Sequence, residues 1–149
     1  VLIPEKPDFP ADRGAEKKVW KALAAQLPDD AVLIHGLRIT RRSRDREGDL
    51  IVLWPGNGVA VIEVKGGYMV PASDGKFKQS SATGRTKTVD PIEQARELMY
   101  TLKDWISDHT SIKTNYNFVF MAALPFADIN TVNGGQQISI STRCDTDYR

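Results

Sequence analysis

Two short apolar runs constrain this chain more than anything else in it: residues 50–54 (LIVLW) and 59–64 (VAVIEV), joined by Pro55-Gly56-Asn57-Gly58. Runs of this length around a Gly/Asn turn predict a β-hairpin. Their apolar residues stand at nearly consecutive positions, as in central strands covered on both faces. A hairpin of that kind needs a layer on each side, and the flanking sequence offers two helices. In residues 14–27, Val19, Leu23 and Leu27 recur at helical spacing beside Trp20 and Ala22, and Pro28 with Asp29-Asp30 stops the run. Asp90, Pro91 and Glu93 supply a cap, a first-turn proline and a capping box for the second helix. Ile92, Ala95, Leu98, Met99, Leu102, Trp105 and Ile106 then form its apolar face, to about Asp108. Residues 31–40 and 117–124 read as further strands. This order predicts an α/β fold, a central mixed β-sheet flanked by helices.

The 149 residues suffice for one domain over 1–149 with a core of its own. Residues 1–13 read as an extended lead-in, and 71–89 as a polar, turn-rich stretch with a tight turn at Asp74-Gly75. After Pro125 the pattern is weakly defined through 125–149, with a short strand predicted at 137–141. The chain does not begin with Met and is expected to be processed or part of something longer. No apolar run approaches the ~20 residues of a transmembrane helix, so no membrane partner is expected. The single Cys144 cannot form an internal disulfide, and the first residues lack a signal-peptide pattern. A cytoplasmic location is the expectation.

The chemistry concentrates where the hairpin meets charge. Glu63 and Lys65 interrupt a core strand, although buried charge is costly. Two residues apart on a strand, they point to one face, and the hairpin returns the chain beside Asp49. A two-residue turn would set Asp49 on the opposite face; a three-residue turn or a bulge sets it on the same one. The odd register is expected, and opposite faces would refute the site. Two carboxylates at strand ends form a hard-oxygen site suited to Mg²⁺, with Mn²⁺ able to substitute and the Val64 carbonyl as a further donor. Such an ion activates water and stabilises the leaving oxygen in phosphodiester hydrolysis. A neighbouring lysine orients that water and offsets charge on the phosphorane.

Asp49 followed by Glu63-Val64-Lys65 resembles the PD-(D/E)xK nucleases, whose fold is a restriction-endonuclease-like core. More narrowly, the chain resembles the nuclease-related domain (NERD) family. The resemblance rests on Glu16 in the first helix, residues 47–52 (EGDLIV), residues 63–67 (EVKGG) and residues 90–95 (DPIEQA). It implies a metal-dependent nuclease with Asp49 and Glu63 as metal ligands, Lys65 as the catalytic lysine, and Glu16 and Gln94 as supporting polar groups. Gln94 is expected to bridge to Lys65 or a phosphate. The function expected is Mg²⁺-dependent endonucleolytic cleavage of DNA. The alternative is a silent nuclease-derived module that binds DNA or a protein partner. Members of this family are often fused to helicase, kinase or zinc-finger modules; oligomeric state is left open.

Two basic stretches are candidate phosphate contacts. Arg38, Arg41, Arg42 and Arg44, with Arg46, form a charged run leading into Asp49; Lys76, Lys78, Arg85 and Lys87 form a looser one. The net charge of +1 is the sum of such separated parts. His35 and His109 have no partner at metal spacing, and Cys144 lacks the setting of a nucleophile.

Overall fold

The expected hairpin forms the middle of a five-stranded sheet. A computed structural model of the chain describes residues 1–41, 43–111 and 116–127. In chain order the elements are β1 (Leu2–Ile3), α1 (Gly14–Gln26), β2 (Val32–Arg41), β3 (Arg44–Trp54), β4 (Gly58–Val64), β5 (Tyr68–Pro71), β6 (Phe77–Ser80), β7 (Thr86–Val89), α2 (Pro91–His109) and β8 (Phe118–Ala123). The main sheet has the order β1-β2-β3-β4-β8, and β5-β6-β7 form a second, antiparallel sheet. β2, β3 and β4 are antiparallel, while β1 and β8 add parallel strands at the two sides. The mixed α/β architecture is therefore the one the sequence predicts. At the start of α2, the Asp90 side chain accepts from the Glu93 backbone N–H at 3.0 Å.

The consecutive apolar residues of β3 and β4 serve two cores. Ile51, Val59 and Val61 join Phe118 and Phe120 against Ala95, Leu98, Met99 and Leu102 of α2. Leu50, Val52, Ile62 and Val64 join Leu33 against Ala15 and Trp20 of α1. Each large aliphatic side chain buried this way contributes about 1.5–3 kcal/mol. The helices are thus held to the sheet by the alternating halves of one hairpin.

Trp54 stands opposite Gly58, leaving a three-residue turn, so the register is the odd one. The β3–β4 ladder ends at Leu50 opposite Ile62. That is one step short of Asp49 and Glu63, so the ladder itself does not pair them.

Three regions differ from the sequence reading. The arginine run, given no element in the sequence, lies mostly in strands: Arg38 and Arg41 in β2 and Arg44 and Arg46 in β3, with Arg41 opposite Arg44. Ion pairs to α2 hold these arms down, from Arg41 to Asp104 and Asp108 and from Arg46 to Glu97. Residues 71–89, expected as turns, contain strands β6 and β7. These strands have only four residues each, too short for alternation to stand out, yet the small sheet buries Met69 and Phe77 on one face. Within the lead-in, Leu2–Ile3 pairs with β2. The strand expected at 137–141 lies outside the described residues.

A local irregularity prepares the site. In β2, Ile34 and Leu37, three apart, both pack on the α2-side core. In β3, a Cβ on Gly48 would lie 2.5 Å from Leu98 Cδ2 and 3.6 Å from Ile51 Cδ1, so positions 48 and 51 also share that side. Side-chain alternation therefore slips by one in both strands. The pairing is the same on either side (His35 opposite Leu50, Leu37 opposite Gly48), so no residue is inserted. The slip falls at Gly36 and Asp49. Gly36 has φ +67°, a conformation that glycine adopts without steric cost.

Candidate active site

Asp49 sits at that slip, where the β3–β4 ladder ends. Its Oδ2 accepts from the Val64 backbone N–H at 2.7 Å, in place of a further ladder bond. Glu63 is a buried charged residue near the end of β4, and Lys65 Nζ donates to its Oε1 at 2.6 Å. Burial pushes the Asp49 carboxyl up, the Glu63 charge pushes it further, and the Val64 N–H opposes them. Glu16 adds to the rise and Lys65 reduces it, and the carboxyl ends at about 7. One carboxylate of this site thus has its cation in Lys65. The other does not.

Glu16 comes to the same place from α1. Its Oε2 meets His35 Nε2 at 2.8 Å and Arg13 at 3.4 Å. His35 lies between Phe9 and Trp20, with ring centroids 4.6 and 6.0 Å away, so the sheet and helix fix Glu16 through one imidazole. Arg13 also donates to Glu47 at 3.2 Å. Burial pushes Glu47 up, but the Arg13 hydrogen bond and the Arg38 charge bring it below its ordinary value.

The Gly66-Gly67 step after Lys65 is enclosed on two sides. A Cβ on Gly66 would come 3.2 Å from Ala15 Cβ. Gly67 has φ +79°, and a Cβ there would come 2.8 Å from the Ser80 carbonyl oxygen. Gln79 Nε2 donates to the Gly66 carbonyl at 2.6 Å, which ties the second sheet to the strand that carries Glu63 and leads into Lys65. The Gln79 Oε1 is buried without a hydrogen-bond partner among the described residues.

A family model, the nuclease-related domain, matches residues 11–122. The chain belongs to the nuclease-related domain family. No curated protein and no solved structure gave a match. The NERD match spans α1, the hairpin, the second sheet and α2, and so covers Glu16, His35, Asp49, Glu63 and Lys65. It makes the function nuclease-related. Among the described residues, no helix is long and apolar enough to cross a membrane.

Within this NERD domain the structure brings Asp49, Glu63, Lys65 and Glu16 together. Gln94 is different: it is exposed at the start of α2, and no hydrogen bond joins it to Lys65 among the described residues. The expected bridge from Gln94 to Lys65 is thus not made among the described residues, where Lys65 donates to Glu63. Tyr100 packs against the α2-side core. Arg38 is 78% exposed and pairs with Glu47, Arg41 and Arg46 pair with α2, and Arg44 is exposed. Arg42 lies outside the described residues. Lys76, Lys78, Arg85 and Lys87 are all exposed. Sequence reasoning missed His35 as the partner of Glu16, and Gln79 altogether. Neither stands in a motif; only the fold brings His35 to α1 and Gln79 to Gly66.

Asp49 and Glu63 are the hard-oxygen donors available to a metal. Asp49 Oδ2 and Glu63 Oε1 are engaged, and no hydrogen bond reaches Asp49 Oδ1 or Glu63 Oε2 among the described residues. No group of three or more His, Cys, Asp or Glu side chains gathers to hold a metal among those residues.

Proposed function

We propose that this domain hydrolyses DNA phosphodiester bonds with a divalent cation, Mg²⁺ or Mn²⁺, held by Asp49 and Glu63 with the Val64 carbonyl. The observation that carries this reading is the unequal pair of carboxylates: Lys65 donates to Glu63, while Asp49 accepts only from the Val64 N–H among the described residues. Burial and the Glu63 charge push the Asp49 carboxyl up to about 7. Paired carboxylates with one cation between them favour the arrival of another. A bound divalent cation would polarise the phosphate and offset the charge that builds on it during water attack.

The chain's own residues do the rest. Asp49 gives up its proton when the cation is held. Lys65, anchored on Glu63, keeps N–H bonds to orient a water or a phosphate oxygen. Glu16, fixed by His35, orders water on the α1 side. Gln94, on the exposed surface, is left to contact a phosphate rather than Lys65. Lys76, Lys78, Arg85 and Lys87 supply phosphate contacts, with Arg38, Arg42 and Arg44 as further candidates.

The test is plasmid nicking with Mg²⁺, Mn²⁺ or EDTA, run beside Asp49→Ala and Lys65→Ala. Cleavage is expected with either metal, none in EDTA, and none from either variant while their circular dichroism matches the wild type. Cleavage retained by a purified variant refutes the mechanism. The second reading, a module that binds DNA or a protein partner without cutting, draws on the lack of a third ligand beside the pair among the described residues. DNA binding with no metal-dependent cleavage would establish it.

A further inference from the structure

The second sheet has one face covered and one face open, and the two differ in chemistry. Register places Met69, Gln79 and Lys87 in one row and Pro71, Phe77 and Val89 in the next. Met69 and Phe77 are buried there. The other face carries Tyr68, Ser80 and Thr86 in one row and Val70, Lys78 and Thr88 in the next. On it Tyr68 is 49% exposed and Val70 41%. No acid lies on this face. Across residues 66–89 four basic side chains stand against one acid, a net of +3 in a chain whose whole net charge is +1. None of the four makes an ion pair among the described residues.

An exposed aromatic beside hydroxyls and one unpaired cation, Lys78, with Lys76 and Arg85 in the adjoining connections, is the composition of a surface that stacks bases and tracks a backbone. Its position adds the second argument. Tyr68 follows Lys65 by three residues, a reach of at most about 11 Å. Its cross-strand partner Ser80 is also the residue whose carbonyl crowds Gly67. The row holding Tyr68 is thus the row of this sheet nearest the proposed site, within about three stacked base steps of Lys65.

We infer that the open face of β5-β6-β7 is a platform for a single-stranded DNA segment, with Tyr68 stacking an unpaired base and Lys78 contacting the backbone beside it. The inference rests on the nuclease reading and deepens it: the substrate is DNA with unpaired nucleotides next to the cleaved phosphate. A duplex would keep its bases stacked on each other and leave the Tyr68 ring unused.

The experiment is fluorescence anisotropy in EDTA, with labelled oligothymidylate, a blunt duplex and a duplex with a single-stranded overhang. The wild type should bind oligothymidylate and the overhang more tightly than the blunt duplex. Tyr68→Ala should weaken the single-stranded complexes by about tenfold and leave the blunt duplex unchanged. Tyr68→Phe, which keeps the ring, should bind as the wild type does. Lys78→Gln should weaken the same complexes and flatten their salt dependence, which checks the face without touching Tyr68. Equal binding of oligothymidylate by wild type and Tyr68→Ala overturns the platform, as does a wild type that prefers blunt duplex or binds no DNA. If nicking then still depends on Asp49, the platform fails and the nuclease reading stands. Tyr68-dependent binding without cleavage in Mg²⁺ or Mn²⁺ gives the reverse.

Discussion

The tip of the β2–β3 hairpin and the small β5-β6-β7 sheet are both basic in sequence, yet they hold their charge in opposite ways. At the tip, Arg38 meets Glu47, Arg41 meets Asp104 and Asp108, and Arg46 meets Glu97. In the small sheet, Lys76, Lys78, Arg85 and Lys87 face solvent with no ion pair among the described residues. In the first set Arg41 and Arg46 tie a long hairpin to a helix and Arg38 pairs across the hairpin; the second leaves its charge available to a polyanion. The same contrast divides the carboxylates. Glu47 is matched by two arginines and lies below its ordinary value, whereas Asp49 is pushed up to about 7. Whether a charge is matched inside the fold, rather than how many charges a stretch contains, separates scaffold from candidate site.

The largest test of that contrast is Asp49→Asn in metal-free protein. An unfolded Asp titrates near about 3.9, and the folded Asp49 near about 7. The folded state therefore holds the proton more tightly, and stability falls as pH rises from about 4 to about 7. Above that window the penalty is full, on the order of a few kcal/mol. Asn carries no charge and escapes it. Thermal melts in EDTA should show Asp49→Asn several degrees above the wild type at about pH 8, with the gap closing as pH falls to about 4. Added Mg²⁺ should raise the wild-type midpoint and not that of the variant. Coincident melts at about pH 8 would place Asp49 among the matched charges and break the contrast.

Next in size is removal of the free cations. Replacing Lys76, Lys78, Arg85 and Lys87 together by Gln should lower DNA affinity by on the order of a hundredfold. It should also reduce the slope of log affinity against log salt by about 3, since each phosphate left without its cation takes ~0.7–0.9 from that slope. Stability should barely change, since these side chains are exposed and tie nothing down. The matched set, Arg41 and Arg46 to Gln, should leave that slope in place. A salt titration of binding in EDTA compares the two. Equal effects from both would show that ion pairing inside the fold does not decide which cations meet DNA.

What the sequence made legible follows the same division. The hairpin, both helices, the Asp90 cap and the odd register at Pro55-Gly56-Asn57 were readable, because local pattern and turn chemistry dictate them. The convergence of Asp49, Glu63 and Lys65 was readable because one hairpin and one i, i+2 spacing create it. The small sheet was not: its strands are four residues long, and its one-sided burial rests on Met69 and Phe77 alone. The slip at Gly36 and the Gln79 bond to Gly66 depend on contacts between distant segments, and no local pattern encodes them. The arginine run looked like a phosphate contact because its partners, Asp104 and Asp108, lie about sixty residues away.

Arg41 is the smallest and sharpest test of that last point. Its side chain is 28% exposed and reaches two carboxylates one helical turn apart on α2. Pairs this open contribute little, about 0.2–1 kcal/mol each. A shared guanidinium held by two acids should fall near the top of that range, because one ordered side chain serves both bonds. Arg41→Ala should therefore lower stability by about 1 kcal/mol, with DNA affinity in EDTA unchanged within about twofold. A double-mutant cycle with Asp108→Ala isolates the pair: the two changes together should cost less than their sum. If the changes are additive, and Arg41→Ala weakens DNA binding as much as Lys78→Gln does, then this arginine exchanges its acids for phosphate. The hairpin tip would then belong with the small sheet as part of one binding surface.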